Sequence, residues 1–160
     1  MKRIAKFEKV SLNEFLKSGT SEEYESIVLP KRATSGSAGY DFFANKDISV
    51  SPSETVLIPT GVRVKIEEGW VLKIYPRSSL GFKFRLTLNN TVGIIDSDYY
   101  FADNEGHIFV KATNCGNKPL IVEKGKAFAQ GVFVEYGITI DDDAVETLHG
   151  GFGSTDKNNF

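Results

Sequence analysis

Apolar and polar positions alternate, or apolar residues cluster in compact runs, at residues 24–29, 40–43, 56–58, 62–66, 70–75, 85–88, 108–112, 120–122 and 132–136. A period of two puts successive side chains on opposite faces of an extended backbone, so each stretch predicts a strand. Breakers stand between the runs or at their ends, among them Pro30, Pro52, Pro59, Gly61, Gly69, Pro76, Gly106, Gly116, Pro119 and Gly125. One helix signal stands apart from this pattern. Ser11 and Glu14 form a capping box ahead of Leu12, Phe15 and Leu16, and Gly19 ends the segment. Many short strands with no helix between them predict an all-β antiparallel sandwich, jelly roll or closed barrel, preceded by one short N-terminal helix.

The pattern changes after Ile140. Asp141-Asp142-Asp143 is followed by Gly150-Gly151-Phe152-Gly153-Ser154-Thr155 and then by a polar end. Such a stretch cannot build a core, so residues 141–160 are expected to form a mobile arm, either a frayed end or a segment that orders over a phosphate ligand. The 160 residues fit a single domain, with an N-terminal extension over 1–20 and a β unit over 24–140. No repeat or internal linker interrupts it.

Composition narrows the function. Cys115 is the only cysteine, which excludes an internal disulfide and a thiolate metal cluster and predicts a reducing, cytoplasmic setting. The start, Met1 to Phe7, is charged and no long apolar run follows, so neither a signal peptide nor a membrane span is expected. A formal net charge of −2 lacks the basic excess of a protein that holds a nucleic acid polymer. It leaves room for a mononucleotide, for which a few well-placed cations suffice.

Several segments carry candidate chemistry. In Pro76-Arg77-Ser78-Ser79-Leu80-Gly81, at the end of an apolar strand, Arg77 offers a planar fork of donors, Ser78 and Ser79 add hydroxyls, and Gly81 lets the backbone bend close to a ligand. The same residues also suit an ordinary polar turn. In Gly93-Ile94-Ile95-Asp96-Ser97-Asp98-Tyr99, Asp96 and Asp98 would share one face of an extended chain, as suits a general base or a hydrated cation, or two solvated surface carboxylates. Asp41 and Gln130 are single polar residues in apolar runs. His107 and His149 are far apart in the chain, which argues against a histidine metal site, and His107 reads most simply as structural.

Taken in order, Ala38-Gly39-Tyr40-Asp41, Pro76 to Gly81, Gly93 to Tyr99, Ala129-Gln130-Gly131-Val132-Phe133 and Gly150 to Thr155 closely resemble the five motifs of the trimeric dUTPase family. They span nearly the whole chain after the N-terminal helix. The resemblance implies a distorted jelly-roll β-barrel and a homotrimer that hydrolyses dUTP with Mg²⁺ at sites shared between subunits. Motifs one, two and four would come from one subunit, the third from a second, and the arm from the third as a lid. By position, Asp96 resembles the general base and Asp41 the carboxylate that holds Mg²⁺ through water. Arg77, Ser78 and Gln130 would bind phosphate oxygens, with Ser79 and Gly81 beside them. Asn90, Gly93 and Ile95 would receive the uracil, and Tyr99 would pack under the sugar. In the arm, Phe152 would stack on the base, with Gly153, Ser154 and Thr155 at the phosphates.

The chain departs from that family pattern in three places. Arginines expected at Ala127 and near Thr147 are missing, with Lys126 or Lys157 as substitutes, and the insert Ala102-Asp103-Asn104-Glu105-Gly106 follows Tyr100-Phe101. The competing readings are a dCTP deaminase, which resembles dUTPases in fold, and a regulatory module that binds a protein partner under control of the nucleotide.

Overall fold

The computed structural model describes residues 1–146, and within them twelve strands are the main regular elements. In chain order they are β1 (Ala5–Lys9), β2 (Lys31–Arg32), β3 (Tyr40–Phe43), β4 (Ile48–Val50), β5 (Thr55–Pro59) and β6 (Val62–Ile66), then β7 (Trp70–Pro76), β8 (Leu86–Leu88), β9 (Gly93–Ile95), β10 (Phe109–Asn114), β11 (Leu120–Val122) and β12 (Ala127–Glu135). All the pairings are antiparallel, and they form four sheets, ordered β1-β6, β5-β10-β8, β11-β4 and β2-β3-β12-β7-β9. The all-β expectation holds, but hydrogen bonding does not run continuously around the molecule and the barrel is not closed.

The strands cohere because their apolar faces converge. Phe42, Leu72, Ile74, Ile95, Ile108 and Leu120 are almost fully buried and belong to one core cluster. Each such side chain contributes roughly 1.5–3 kcal/mol by leaving water. β1 completes that core from the N-terminal side, with Phe7 opposite Val64 and its ring edge-on to Phe42. The sequence reading missed this strand: Lys6, Glu8 and Lys9 surround Phe7, so one apolar position carries the whole alternation.

Helices are more numerous than the single one expected. α1 (Leu12–Phe15) lies where the Ser11 cap predicted it, and the Ser11 hydroxyl accepts from the Glu14 amide. A second helix, α2 (Ser21–Glu25), replaces the strand expected at 24–29. Its capping box is complete, Thr20 accepting from the Glu23 amide and Glu23 accepting from the Thr20 amide. That local solution outweighs a weak alternation, because both orphan amides find partners within one turn. A third helix, α3 (Ser78–Phe84), and a 3₁₀ turn over Ser97–Phe101 complete the set. Among the described residues no helix is long and apolar enough to cross a membrane.

Candidate active site

The five-stranded sheet assembles one half of the site. Asp41 on β3 stands directly opposite Gln130 on β12, and Gln130 stands opposite Tyr75 on β7. Partners facing each other across an antiparallel pair project to the same face, which brings the Asp41 carboxylate and the Gln130 amide together. β12 shifts register between Ala127 and Ala129, a bulge of the kind that re-aims neighbouring side chains. β7 ends at Pro76, so Arg77 leaves the sheet next to them and becomes the N-cap of α3. Its Nη1 donates to Asp41 Oδ2 at 2.8 Å. A Cβ at position 39 would come within 2.6 Å of Gln130 Oε1, so a larger residue there would push the Gln130 amide aside.

These residues line a polar cavity of about 370 Å³ with Ser78, Ser79, Ser37, Gly39 and Ala33. Ser78 and Ser79 open α3 and are exposed. The backbone here is a helix and not the open turn that the sequence suggested. Gly81 consequently lies inside α3, where a Cβ would meet nothing within 4 Å, so no close approach to the cavity demands a glycine there. Sequence reasoning missed the opposite wall. Arg32 donates to the carbonyls of Ser35 and Ser37 and so pins the loop that carries Ser37 and Gly39 to the rim. The run of small residues from Ser35 to Gly39, just before Asp41, was the available signal.

The third segment lies elsewhere on the same sheet. Asn90, Gly93 and Ile95 border a second, mainly apolar cavity of about 440 Å³ that also touches Ile74, Leu88 and Lys111. The larger cavity is thus not the phosphate-like one: it offers Lys111 but no carboxylate or hydroxyl, whereas Arg77, Asp41 and the serine hydroxyls line the smaller. Gly93 faces Ile74 and Ile95 faces Leu72 on β7. Asp96 therefore emerges beside the start of β7, while Arg77 leaves its far end. Five residues of strand from Leu72 to Arg77 span roughly 16 Å, too far for one water to contact both groups.

The carboxyl of Asp96 reaches the surface, yet surrounding chain partly desolvates it. That desolvation, with repulsion from Asp98 as a smaller cause, raises its pKa above the ordinary aspartate value. The expectation that Asp96 and Asp98 share one face of a strand is corrected, because extended backbone ends at Asp96 and Asp98 belongs to the 3₁₀ turn. Tyr99, in the same turn, is 5% exposed, and its hydroxyl donates to the His107 carbonyl at 2.7 Å.

His107 is structural, as expected. It is fully buried, its Nε2 accepts from the Gly61 amide at 2.9 Å, and burial lowers its pKa to about 4. Lys126 does not reach the polar cavity lining. The expected roles of Phe152, Gly153, Ser154 and Thr155, and of His149, Thr147 and Lys157, fall outside the described residues.

Magnesium can be weighed against these groups. No cluster of three or more His, Cys, Asp or Glu converges among the described residues. Asp41 is a single carboxylate with one oxygen engaged by Arg77, in a polar and open cavity. Mg²⁺ keeps several waters and takes one or two carboxylates plus phosphates, so this set fits an ion arriving with a polyphosphate and does not fit a resident, protein-caged one.

A strand-built polar cavity of guanidinium, amide and hydroxyls, with a separate carboxylate beside the far end of β7, has the chemistry that a nucleotide-hydrolase type of site needs. The dUTPase family model matches residues 25–156. The deoxyuridine 5'-triphosphate nucleotidohydrolase of Lactococcus lactis is 43% identical over 139 residues, covering 85% of this chain and 93% of its own length. That of Tolumonas auensis is 42% identical over 137 residues, covering 81% and 87%. The crystal structure of dUTPase from Streptococcus mutans superposes with a TM-score of 0.67 at 38% identity, covering 85% of this chain and 98% of its own. A mutant dUTPase from phage phi11 of S. aureus, whose structure details the coordination of a structural Mg(II) ion, shares the fold at 20% identity and a TM-score of 0.67, covering 90% and 98%. The chain belongs to the dUTPase family, and it is a hydrolase.

Proposed function

We propose that the chain hydrolyses dUTP to dUMP and pyrophosphate, in a homotrimer whose sites are shared between subunits. One observation carries this reading. Asp41, Arg77, Ser78, Ser79 and Gln130 share a single polar cavity, while the carboxylate suited to act as base, Asp96, leaves the same sheet roughly 16 Å away. A site built by one chain would keep base and phosphate apart. A site between chains brings the Asp96 of one subunit to the cradle of another.

Asp96 takes a proton from water, and the water oxygen attacks the α-phosphorus. The bond from that phosphorus to the bridging oxygen breaks, and pyrophosphate leaves with the electron pair. A base whose pKa is raised towards neutrality is better matched to this proton transfer than an ordinary aspartate. Arg77, Ser78, Ser79 and Gln130 donate to phosphate oxygens, where preorganised donors stabilise charge as it develops. Asn90, Gly93 and Ile95 receive the uracil, and Tyr99 packs under the deoxyribose and leaves no space for a 2′-hydroxyl. Asp41 would hold Mg²⁺ through water, and the ion, arriving with the triphosphate, would supply neutralisation of phosphate charge. Phe152, Gly153, Ser154 and Thr155 belong to the arm that closes the site. In the cytoplasm this reaction keeps uracil out of DNA and supplies dUMP for thymidylate synthesis.

The test is pyrophosphate release from each deoxynucleoside triphosphate with Mg²⁺, with Asp96→Asn in parallel and solution mass measured by light scattering. Release from dUTP alone, lost in Asp96→Asn, by a particle of three chains supports the reading. An active monomer would overturn the shared site.

A further inference from the structure

The insert after Phe101 does not hang free. Both carboxylate oxygens of Glu105 hold the cap of α1, accepting from the Ser11 amide at 2.7 Å and the Ser11 hydroxyl at 2.6 Å. Arg63 donates to the Glu105 carbonyl at 3.4 Å, and Ala102 is buried in the core. Gly106 closes the loop with φ +71°, and a Cβ there would lie 2.7 Å from the Tyr99 carbonyl oxygen. The loop therefore folds back directly onto Tyr99.

Asn104 is the polar side chain that this arrangement delivers. Its Nδ2 donates to the Tyr99 hydroxyl at 2.9 Å and reaches the His107 carbonyl at 3.4 Å. The Tyr99 hydroxyl donates to that same carbonyl at 2.7 Å. A phenol that donates to one partner and accepts from another has its ring held from two directions. Asn104 is itself restrained, with Oδ1 accepting from the Gly106 amide at 3.2 Å and its carbonyl accepting from the His107 amide at 3.0 Å. These bonds close a triangle of Tyr99, Asn104 and His107.

We propose that Asn104 is a positioning residue that fixes the Tyr99 ring and thereby sets the preference for a 2′-deoxy sugar over a ribose. The inference rests on the placement of Tyr99 under the sugar in the reading above. A ring that yields makes room for a 2′-hydroxyl, so the triangle defends substrate selection and not the chemical step. Misplacement on the scale of 1 Å costs about a hundredfold where positioning matters, which leaves room for a measurable loss.

The experiment compares kcat and KM for dUTP and UTP in the wild type, Asn104→Ala, Tyr99→Phe and the double variant, with Tm measured on each. Asn104→Ala should lower the dUTP-to-UTP ratio of kcat/KM about tenfold, mainly through KM, while kcat for dUTP stays within about threefold. Tyr99→Phe, which loses the bond to the His107 carbonyl as well as the one from Asn104, should lower the ratio at least as far, and adding Asn104→Ala to it should cost nothing further, because the contact between the two is already gone. An unchanged ratio beside a lowered Tm would overturn the proposal and leave Asn104 a structural brace. Additive losses would overturn it too. If Asn104→Ala fails to fold, Tyr99→Phe decides, and an unchanged ratio there refutes the triangle. A wild type that does not prefer dUTP over UTP would instead sink the underlying reading of Tyr99 before any variant is compared.

Discussion

Arg77→Lys keeps the positive charge in the polar cavity and removes only the guanidinium fork, which makes it a sharper probe than a deletion. Arginine carries about five N–H donors, and roughly one is spent on Asp41, leaving about four for phosphate. Lysine offers about three in all, from a point charge on a flexible stem, so about two remain. Losing one effective charge-assisted hydrogen bond costs about 1.5–3 kcal/mol. At about 1.4 kcal/mol per decade of rate, Arg77→Lys should lower kcat/KM for dUTP by about tenfold to a hundredfold. Arg77→Ala removes the charge as well and should cost about a hundredfold to a thousandfold. Steady-state pyrophosphate release at saturating Mg²⁺ measures both, with circular dichroism to confirm folding. If Arg77→Lys matches the wild type and Arg77→Ala stays within tenfold, Arg77 serves only as the partner of Asp41 and the cradle is wrongly assigned.

Asp96 predicts a pH profile. Its raised pKa means that the free carboxylate is lost earlier on acidification than for an ordinary aspartate, so kcat/KM should fall as pH drops through a value above that range. A profile flat down to about pH 4 would contradict it. His107 predicts a stability profile through the opposite charge. Its folded pKa is lowered to about 4 from 6.5, so its contribution is complete above pH 6.5 and is lost as pH falls through about 4. The full loss approaches ~3 kcal/mol. Urea midpoints at several pH values, compared with His107→Gln, should show this dependence reduced in the variant. For the metal, EDTA should abolish pyrophosphate release, and Asp41→Asn should raise the Mg²⁺ concentration giving half-maximal rate about tenfold or more; an unchanged titration would remove Asp41 from that role.

The strands were legible where a period of two was backed by apolar residues on both sides, as at Val62–Ile66 and Leu120–Val122, which appear with the bounds expected. β1 was hidden because its inward face shows one phenylalanine among charges. α2 was misread because Tyr24 and Ile27 suit a helical stripe as well as a strand, and the deciding contacts are those of Thr20 and Glu23. The pieces of the site were visible because each motif is contiguous. Their grouping was not: Asp41 and Arg77 meet across 36 positions only through the order β3-β12-β7, and the same sheet holds Asp96 away. Neither result is written in local pattern. Asn104 lay unnoticed in an insert that looked like ordinary loop variation, since a polar surface segment gives no sign that one of its amides turns inward.

The distance between Asp96 and Arg77 also bears on heredity. When two halves of a working site lie on different molecules, damage to one half in one copy of a gene and to the other half in a second copy does not add up to a null. In the shared site proposed above, mixed particles assembled from an Asp96→Asn chain and an Arg77→Ala chain would pair the intact base of one with the intact cradle of the other, so two alleles that are each defective alone would restore function together. The converse also follows from that arrangement: a single defective allele would spread its damage into assemblies made mostly of sound chains.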